Sequence, residues 1–201
     1  MSALSDHLKR LFDEGHGTDL PGLRTDAMFA PPGEEIRAAA VLVAVTDRAE
    51  PGVLLTHRPH DMRQHPGQVA FPGGKLDPGE DAVAAALREA HEELAINPHA
   101  VTVIGASDRF ITGTGYDITP ILGLVPADLP LTPNPIEVAE WFEAPLRFLL
   151  DPANQIEKEA TYGGHRRRYI EIDWQGHRIW GVTAAIVANL SRRLAWQELV
   201  E

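Results

Sequence analysis

Apolar and polar residues follow one another in patterns that predict strands and helices in mixed order. Residues 38–46 form a continuous apolar run, as expected of a strand buried on both faces. Residues 80–94 have helical periodicity, and their apolar stripe consists of Val83, Leu87, Ala90 and Leu94. Further predicted helices cover residues 1–11, 145–150 and 182–199, and further predicted strands cover residues 52–56, 68–71, 101–106, 118–125, 138–142, 168–174 and 177–180, the last two joined by a turn at residues 175–176.

The mixture of strands and helices indicates an α/β or α+β domain. Residues 21–34 are rich in Pro, Gly and Asp, which is typical of a linker or wrapping loop. We therefore divide the chain into an N-terminal helix with a wrapping loop, residues 1–34, and a main domain, residues 35–201.

Composition narrows the class of protein. The chain has 201 residues, a net charge of −11 and no cysteine. Its acidity argues against binding nucleic-acid backbones, and the missing cysteines exclude disulfides and thiolate chemistry. No apolar run approaches the roughly 20 residues needed to span a bilayer, and the N-terminus lacks the apolar stretch of a signal peptide. We expect a cytoplasmic protein with no membrane or nucleic-acid partner.

The predicted helix over residues 80–94 carries three carboxylates on one turn. Glu89, Glu92 and Glu93 stand at i, i+3 and i+4, on a face expected to lie opposite the apolar stripe, with the small Ala85 nearby. Such clustering is unfavourable by itself, although Arg88 can pair with Glu92. A hard divalent cation, Mg²⁺ or Mn²⁺, would explain it, because such ions prefer carboxylate oxygens. Taken alone, the cluster is better explained as a solvated helix face.

The residues around the helix strengthen the metal-binding interpretation. Pro72-Gly73-Gly74 precedes the helix as a turn whose backbone can approach a ligand closely. Six residues stand at fixed spacing across this turn and the helix: Gly74, Glu80, Arg88, Glu89, Glu92 and Glu93. This pattern resembles the Nudix box, the signature of the Nudix hydrolases. The resemblance implies a Nudix-type α/β/α sandwich with a mixed central sheet and a metal-dependent diphosphatase.

One position departs from the box. The family pattern has Gly after the glutamate pair, where this chain has Ala95. That Gly usually occupies a left-handed turn, which Ala adopts at a cost of about 1 kcal/mol. Alternatively, the helix continues slightly further and uses Asn97 as its left-handed cap before Pro98.

A second pattern lies upstream of the box. It comprises Leu54-Leu55-Thr56, Arg58, Arg63, Gly67 and Phe71-Pro72-Gly73-Gly74. It resembles the signature of the coenzyme A diphosphatase branch, with Pro59 in place of a Ser. Arg58 and Arg63 offer planar guanidinium groups suited to phosphates, and coenzyme A carries a diphosphate and a separate 3′-phosphate. Either arginine could instead pair with surface acids.

The resemblance implies a set of roles for the box residues. The metal ligands would be Glu89, Glu92 and Glu93, with the Gly74 carbonyl. Bound Mg²⁺ or Mn²⁺ would polarise the diphosphate and activate water. Coenzyme A would give 3′,5′-ADP and 4′-phosphopantetheine.

Other roles are less well determined. Arg88 would orient the glutamates, and Glu80 would bind a further ion or order the loop. A box glutamate, Glu137 or Glu140 would be the general base. Gly73, Gly74 and the two arginines, Arg58 and Arg63, would contact the substrate. Alternative interpretations are a Nudix hydrolase of ADP-ribose, NADH or another nucleoside diphosphate derivative, and a catalytically silent Nudix domain that binds nucleotides.

Several features remain outside this scheme. Residues 166–168 are three consecutive arginines, for which a solvated charge run is a simpler explanation than a contact to the 3′-phosphate. His57, His60 and His65 cluster in one segment, but their spacing does not favour a zinc site. Both Trp174 and Trp180 suit core packing better than adenine stacking. The apolar C-terminal helix offers an interface for a homodimer, although the sequence leaves the oligomeric state open.

Overall fold

The computed structural model describes residues 2–33, 35–60, 67–162 and 165–195. The strands are β1 (Arg37–Asp47), β2 (Gly52–His57), β3 (Val69–Ala70), β4 (Gly73–Lys75), β5 (Thr102–Ala106), β6 (Phe110–Ile111), β7 (Tyr116–Pro126), β8 (Glu140–Pro145), β9 (Ile156–Tyr162), β10 (His165–Trp174) and β11 (His177–Trp180). The helices are α1 (Ala3–His16), α2 (Ala82–Leu94), α3 (Leu146–Leu150) and α4 (Val182–Arg193), and 3₁₀ turns cover Ala27–Phe29, Pro98–Ala100 and Pro152–Asn154.

Strand β1 is the centre of an eight-stranded mixed sheet. It runs parallel to β7 along its whole length, from Arg37 opposite Tyr116 to Asp47 opposite Pro126. It runs antiparallel to β2 and β4, and the main strand order is β3-β2-β1-β7-β5. The apolar run of β1 suits this position because both faces of the sheet are covered.

Helices cover both faces of this sheet. On one face, α2 packs over β1 around small or aliphatic side chains such as Ala40, Leu42 and Ala90. On the other face, α1, α3 and α4 share a core with Val43 and Leu55. The expected α/β/α sandwich with a mixed central sheet is therefore confirmed.

The N-terminal helix is part of this core. Helix α1 begins after Ser2, whose hydroxyl accepts a hydrogen bond from the Ser5 backbone N–H, and it continues to His16, beyond the predicted end at residue 11. Its Leu8, Leu11 and Phe12 are buried. The division at residues 34 and 35 stays a prediction, but α1 contributes directly to the core of the main domain.

Within its described residues, the C-terminal helix has no exposed apolar face of the kind that a dimer interface uses. Residues 183–191 of α4 are all buried, because the helix is enclosed by α1, α3, β10 and β11. The described part of this helix therefore does not support a homodimer interface, and the oligomeric state stays a prediction. The helix ends at Arg193, and the predicted continuation beyond residue 195 lies outside the described residues.

Other sequence predictions need correction. The turn predicted at Gly73 and Gly74 is strand β4, paired with β1, and the polar β9 and the short β6 were missed. The turn at Gln175 and Gly176 is confirmed; it joins β10 and β11, which form a second, three-stranded sheet with β9.

Among the described residues, no helix combines the length and apolarity needed to cross a membrane.

Candidate active site

Helix α2 has well-defined ends. It begins after Asp81, whose side chain accepts a hydrogen bond from the Ala84 N–H at 2.9 Å, so the predicted start at residue 80 is two residues early. It ends at Leu94, and the C-cap residue Ala95 is left-handed with φ 59° and ψ 27°. Asn97 has φ −65° and caps the following 3₁₀ turn instead. Ala95 therefore takes the conformation for which the family pattern has Gly, and the alternative cap at Asn97 is wrong.

The carboxylates of α2 do not share one exposed face. Glu93 is only 6% exposed and lies within the buried face of the helix, and Ala85 is fully buried. The Glu89 side chain is 16% exposed, whereas that of Glu92 is 49% exposed. The expected arrangement opposite the apolar stripe is therefore wrong. Alanines such as Ala85 let the helix lie close to the sheet, so the glutamates beside them are covered.

Three carboxylates converge beside the sheet. Glu89, Glu93 and Glu137 each place an oxygen within 4.8 Å of the others. The Oε2 atom of Glu93 is buried and has no hydrogen-bond partner among the described residues. A buried carboxylate oxygen without a donor is costly, and a bound cation is one way to satisfy it. This group is named the carboxylate cluster below.

Glu137 reaches the cluster because its loop is hydrogen-bonded to the end of α2. The Asn134 N–H donates to the Glu93 carbonyl at 2.8 Å, and the Thr132 N–H donates to the Leu94 carbonyl at 3.0 Å. These contacts satisfy carbonyls that a helix end leaves free. From the sequence, Glu137 is only one of several candidate bases, because nothing local indicates that it lies beside α2.

Burial determines the electrostatics of the cluster. It raises the pKa of Glu93 to about 8, with Glu89 and Glu137 adding to the shift and Arg58 opposing it. Burial also raises the pKa of Glu89, against the effect of Arg88. Carboxylates held this close repel one another when ionised, so a cation between them would favour their charged forms.

Gly74 lies directly against the cluster. In β4 it pairs with Ala40 of β1, and a Cβ atom at this position would lie within 2.6 Å of both carboxylate oxygens of Glu89. Only a residue without a side chain leaves Glu89 in its place. The neighbouring Gly73 packs equally closely on the backbone of β1 beside Val41.

Arg88 links the remaining box residues. Its Nε and Nη2 donate to the two carboxylate oxygens of Glu80 at 3.0 Å, and its Nη1 donates to Glu89 at 3.0 Å and Glu92 at 3.1 Å. Nη2 also donates to the Lys75 carbonyl of β4. The hydrogen bond from Arg88 lowers the pKa of Glu80. Arg88 thus holds α2 to β4 and orients Glu89.

Of the two arginines predicted to contact the substrate, Arg58 is described by the structure. Arg58 follows β2, and its positive charge acts on Glu93. Its Nε is buried and has no hydrogen-bond partner among the described residues. Arg63 lies outside the described residues, as does His65. His60 packs over Gly67, while His57 lies elsewhere, with His177 and Glu140.

The arginines of residues 166–168 belong to the second sheet. Arg166 pairs with Glu159, and the Nε of Arg168 donates to Glu159 at 3.1 Å. Arg167 stacks on Phe29, with its guanidinium carbon 4.1 Å from the ring centre. Arg166 and Arg168 therefore form ion pairs with β9 across the second sheet, while Arg167 packs against an aromatic ring.

The central part of the chain matches a known protein family. The NUDIX domain model matches residues 36–162, which include the whole carboxylate cluster. The chain belongs to the Nudix hydrolase family. It is 42% identical over 160 residues to the uncharacterized Nudix hydrolase NudL of Escherichia coli K12, covering 79% of this chain and 83% of that protein. The NudL of Cronobacter sakazakii is 44% identical over the same coverage.

A solved Nudix structure is also similar to this chain. The Nudix hydrolase RenU of M. smegmatis is 28% identical, covers 56% of this chain and 73% of its own, and superposes with a TM-score of 0.48. Members of the Nudix family hydrolyse diphosphate bonds of small molecules and generally use divalent metal ions. The unpaired Glu93 oxygen and the all-oxygen donor set of the cluster fit such an ion.

Proposed function

We propose that this Nudix hydrolase cleaves the diphosphate of coenzyme A or a close derivative, yielding 3′,5′-ADP and 4′-phosphopantetheine or its acyl form. The observation that supports diphosphate chemistry is the convergence of Glu89, Glu93 and Glu137 around an unsatisfied buried oxygen. The choice of coenzyme A rests on the pattern over residues 54–74, which resembles the coenzyme A diphosphatase signature.

The proposed ligands of Mg²⁺ or Mn²⁺ are Glu89, Glu92, Glu93 and the Gly74 carbonyl. Glu89 and Glu93 would hold the ion from the covered side, and the more exposed Glu92 would approach from the rim of the same helical turn. A bound divalent ion supplies Lewis acidity towards phosphoryl oxygens and lowers the pKa of water. Arg88 fixes Glu89 and Glu92 through its hydrogen bonds and therefore acts as a positioning residue.

Glu137 is the general base that the geometry favours. It lies within the carboxylate cluster, whereas Glu140 lies with the two histidines on β2 and β11. In the proposed step a water oxygen bonds to one phosphorus and the bond from that phosphorus to the bridging oxygen breaks. The bridging oxygen leaves with the other phosphate, and the water proton passes to the Glu137 carboxylate. General-base catalysis of this kind contributes about 10²–10⁴-fold.

Substrate contacts would come from Arg58, Arg63 and the backbone of Gly73 and Gly74. The Arg58 charge already acts on the cluster through Glu93, so a phosphate bound there would lie between a guanidinium group and the metal ligands. Two cationic contacts suit coenzyme A, because its 3′-phosphate is separate from its diphosphate. Pro59, in place of the Ser of the signature, removes a hydroxyl and a backbone donor beside Arg58.

The decisive experiment is a substrate screen with product identification. The purified full chain is incubated with coenzyme A, ADP-ribose or NADH in the presence of Mg²⁺ or Mn²⁺, and a chelator is added in the control. The products are separated by chromatography and identified by mass spectrometry. We expect metal-dependent release of 3′,5′-ADP from coenzyme A at a higher kcat/KM than for the other compounds. Faster cleavage of ADP-ribose or NADH would assign the chain to another Nudix substrate. Absence of metal-dependent turnover on all three would favour the silent nucleotide-binding domain.

A variant pair tests the metal ligands. Glu92→Gln and Glu93→Gln are each expected to lower kcat about 100-fold or more while the fold is retained. Glu50→Gln, which removes an exposed carboxylate in the turn between β1 and β2, is the matched control and should keep the parental rate. Near-parental rates in both box variants would contradict the assignment.

A further inference from the structure

A second group of potential metal ligands lies apart from the carboxylate cluster. His57, Glu140 and His177 place ligand atoms within 4.8 Å of one another. The Nε2 of His57 and the Nδ1 of His177 are 2.9 Å apart. These residues are far apart in the sequence, and the Nudix mechanism proposed above does not use them. The group is named the histidine site below.

Strand pairing explains how the three side chains meet. His57 is the last residue of β2 and pairs directly with Glu140, the first residue of β8. Directly opposed residues of an antiparallel pair place their side chains on the same face, with Cβ atoms about 5 Å apart. His177 is the first residue of β11, after the turn at residues 175–176, and β11 packs against β3.

The histidine site faces away from α2. Strand side chains alternate between faces, and Leu55 of β2 lies in the core shared with α1, α3 and α4. His57 is two residues beyond Leu55 and therefore lies on the same face. Glu140 pairs with His57 and is two residues before the buried Phe142, so it lies on this face as well. Arg58, the next residue along the chain, acts on Glu93 of the carboxylate cluster. The two groups therefore occupy opposite faces of the sheet.

The side-chain geometry is partly organised before any ion binds. The His177 ring stacks on Phe142, with centroids 3.8 Å apart and planes 9° apart. His57 contacts the same Phe142 ring at a centroid distance of 5.4 Å. Phe142 is buried and restricts rotation of both imidazole rings. Fixed rings reduce the conformational entropy that ligands lose on binding a metal.

We propose that His57, His177 and Glu140 bind a divalent transition-metal ion of the zinc class. Two imidazole nitrogens and one carboxylate form a ligand set that suits Zn²⁺ with one open position, whereas Mg²⁺ prefers oxygen ligands alone. Tetrahedral Zn²⁺ with ordinary Zn–N distances needs nitrogens about 3.3 Å apart. The observed 2.9 Å requires only a small opening of the histidine pair.

Metal binding here would connect the two sheets. His57 and Glu140 belong to the eight-stranded sheet, and His177 belongs to the three-stranded sheet. An ion held by all three would bind the folded chain more tightly than the unfolded chain, and it would therefore raise the free energy of unfolding. At a free concentration about a hundredfold above its Kd, it would raise Tm by about 5–10 °C.

The test measures metal binding on the full chain and does not depend on turnover. Zn²⁺ is titrated by calorimetry in saturating Mg²⁺, which competes at the carboxylate cluster, and Co²⁺ is titrated in parallel to detect the visible absorption of tetrahedral, nitrogen-ligated Co²⁺. We expect one equivalent of Zn²⁺ and a tetrahedral Co²⁺ spectrum. His177→Gln and His57→Gln should weaken binding by about 10- to 100-fold or more. His99→Gln, an exposed histidine in the 3₁₀ turn after α2, is the matched control and should bind as the parent does.

Circular dichroism checks that each variant is folded. Should a histidine variant unfold, the exposed Glu140→Gln provides the same comparison with less disturbance of the core. Unchanged Zn²⁺ affinity in the folded variants, or no Zn²⁺ binding in saturating Mg²⁺, would overturn the proposal and leave the histidines as a hydrogen-bonded pair. Neither result bears on the diphosphate screen, so failure here is distinguishable from failure of the proposed function.

Discussion

Replacement of Gly74 by Ala tests whether the position of Glu89 controls catalysis. The added Cβ would lie within 2.6 Å of both Glu89 carboxylate oxygens, whereas ordinary van der Waals contact begins at 3.4 Å. Gly74 is outside the residues with positive φ, so its backbone conformation suits Ala. The contact is with the end of a flexible side chain, and the strain is relieved when the carboxylate moves by roughly 1 Å. A displacement of this size in a catalytic site costs on the order of 100-fold in rate.

The assay compares kcat and thermal stability in the same preparations. We expect Gly74→Ala to lower kcat on the diphosphate substrate about 100-fold, with little change in Tm, and to weaken Mn²⁺ binding measured by electron paramagnetic resonance. Gly17→Ala is the control, since Gly17 has φ −71° and follows α1. A rate within about threefold of the parent in folded Gly74→Ala would refute the reasoning, because displacement of a required ligand must cost more than that.

Three further predictions concern the base, the helix end and a buried ion pair. Glu137→Gln should lower kcat by about 10²–10⁴-fold; an unchanged rate would exclude it as the base. Ala95→Gly should raise the free energy of unfolding by about 1 kcal/mol in urea melts, because it relieves the left-handed alanine; no gain would contradict the strain. Burial acts to raise the pKa of Asp108, but the hydrogen bonds that it accepts from Arg193 lower this pKa overall. The ion pair therefore stabilises the fold fully above pH 3.8, the ordinary pKa, and this stabilisation is lost as pH falls through the lowered pKa. Arg193→Met should therefore cost about 3 kcal/mol at pH 7 and less at pH 3, and a pH-independent difference between the two proteins would count against this linkage.

Local patterns identified much of the scaffold. Strand β1 was predicted from its apolar run, because a strand covered on both faces needs apolar side chains throughout. Helix α2 was predicted from its 3.6-residue period, and the turn before β11 was predicted from Gln175-Gly176. Strands without such a pattern were missed: β4 is glycine-rich, and β9 is mostly exposed and polar.

The helical period also predicted the wrong exposure for the acidic residues of α2. The spacing of Glu89, Glu92 and Glu93 places them on one turn, but their burial depends on how closely the sheet approaches α2. Alanines allow that approach, so Glu93 is covered while Glu92 stays half exposed. The amphipathic pattern assumes that charged residues face solvent, and here it failed at the residues assigned to metal binding.

By itself, the sequence determined the family, the principal strands and helices, and the box glutamates, because these depend on residues near one another in the chain. Tertiary structure alone decided which distant groups meet. Glu137 joins Glu89 and Glu93 because its loop bonds to the carbonyls that end α2. His177 meets His57 because a hairpin of the second sheet packs against the first. Such contacts arise from burial and backbone hydrogen bonding between separate elements, and no spacing along the chain records them.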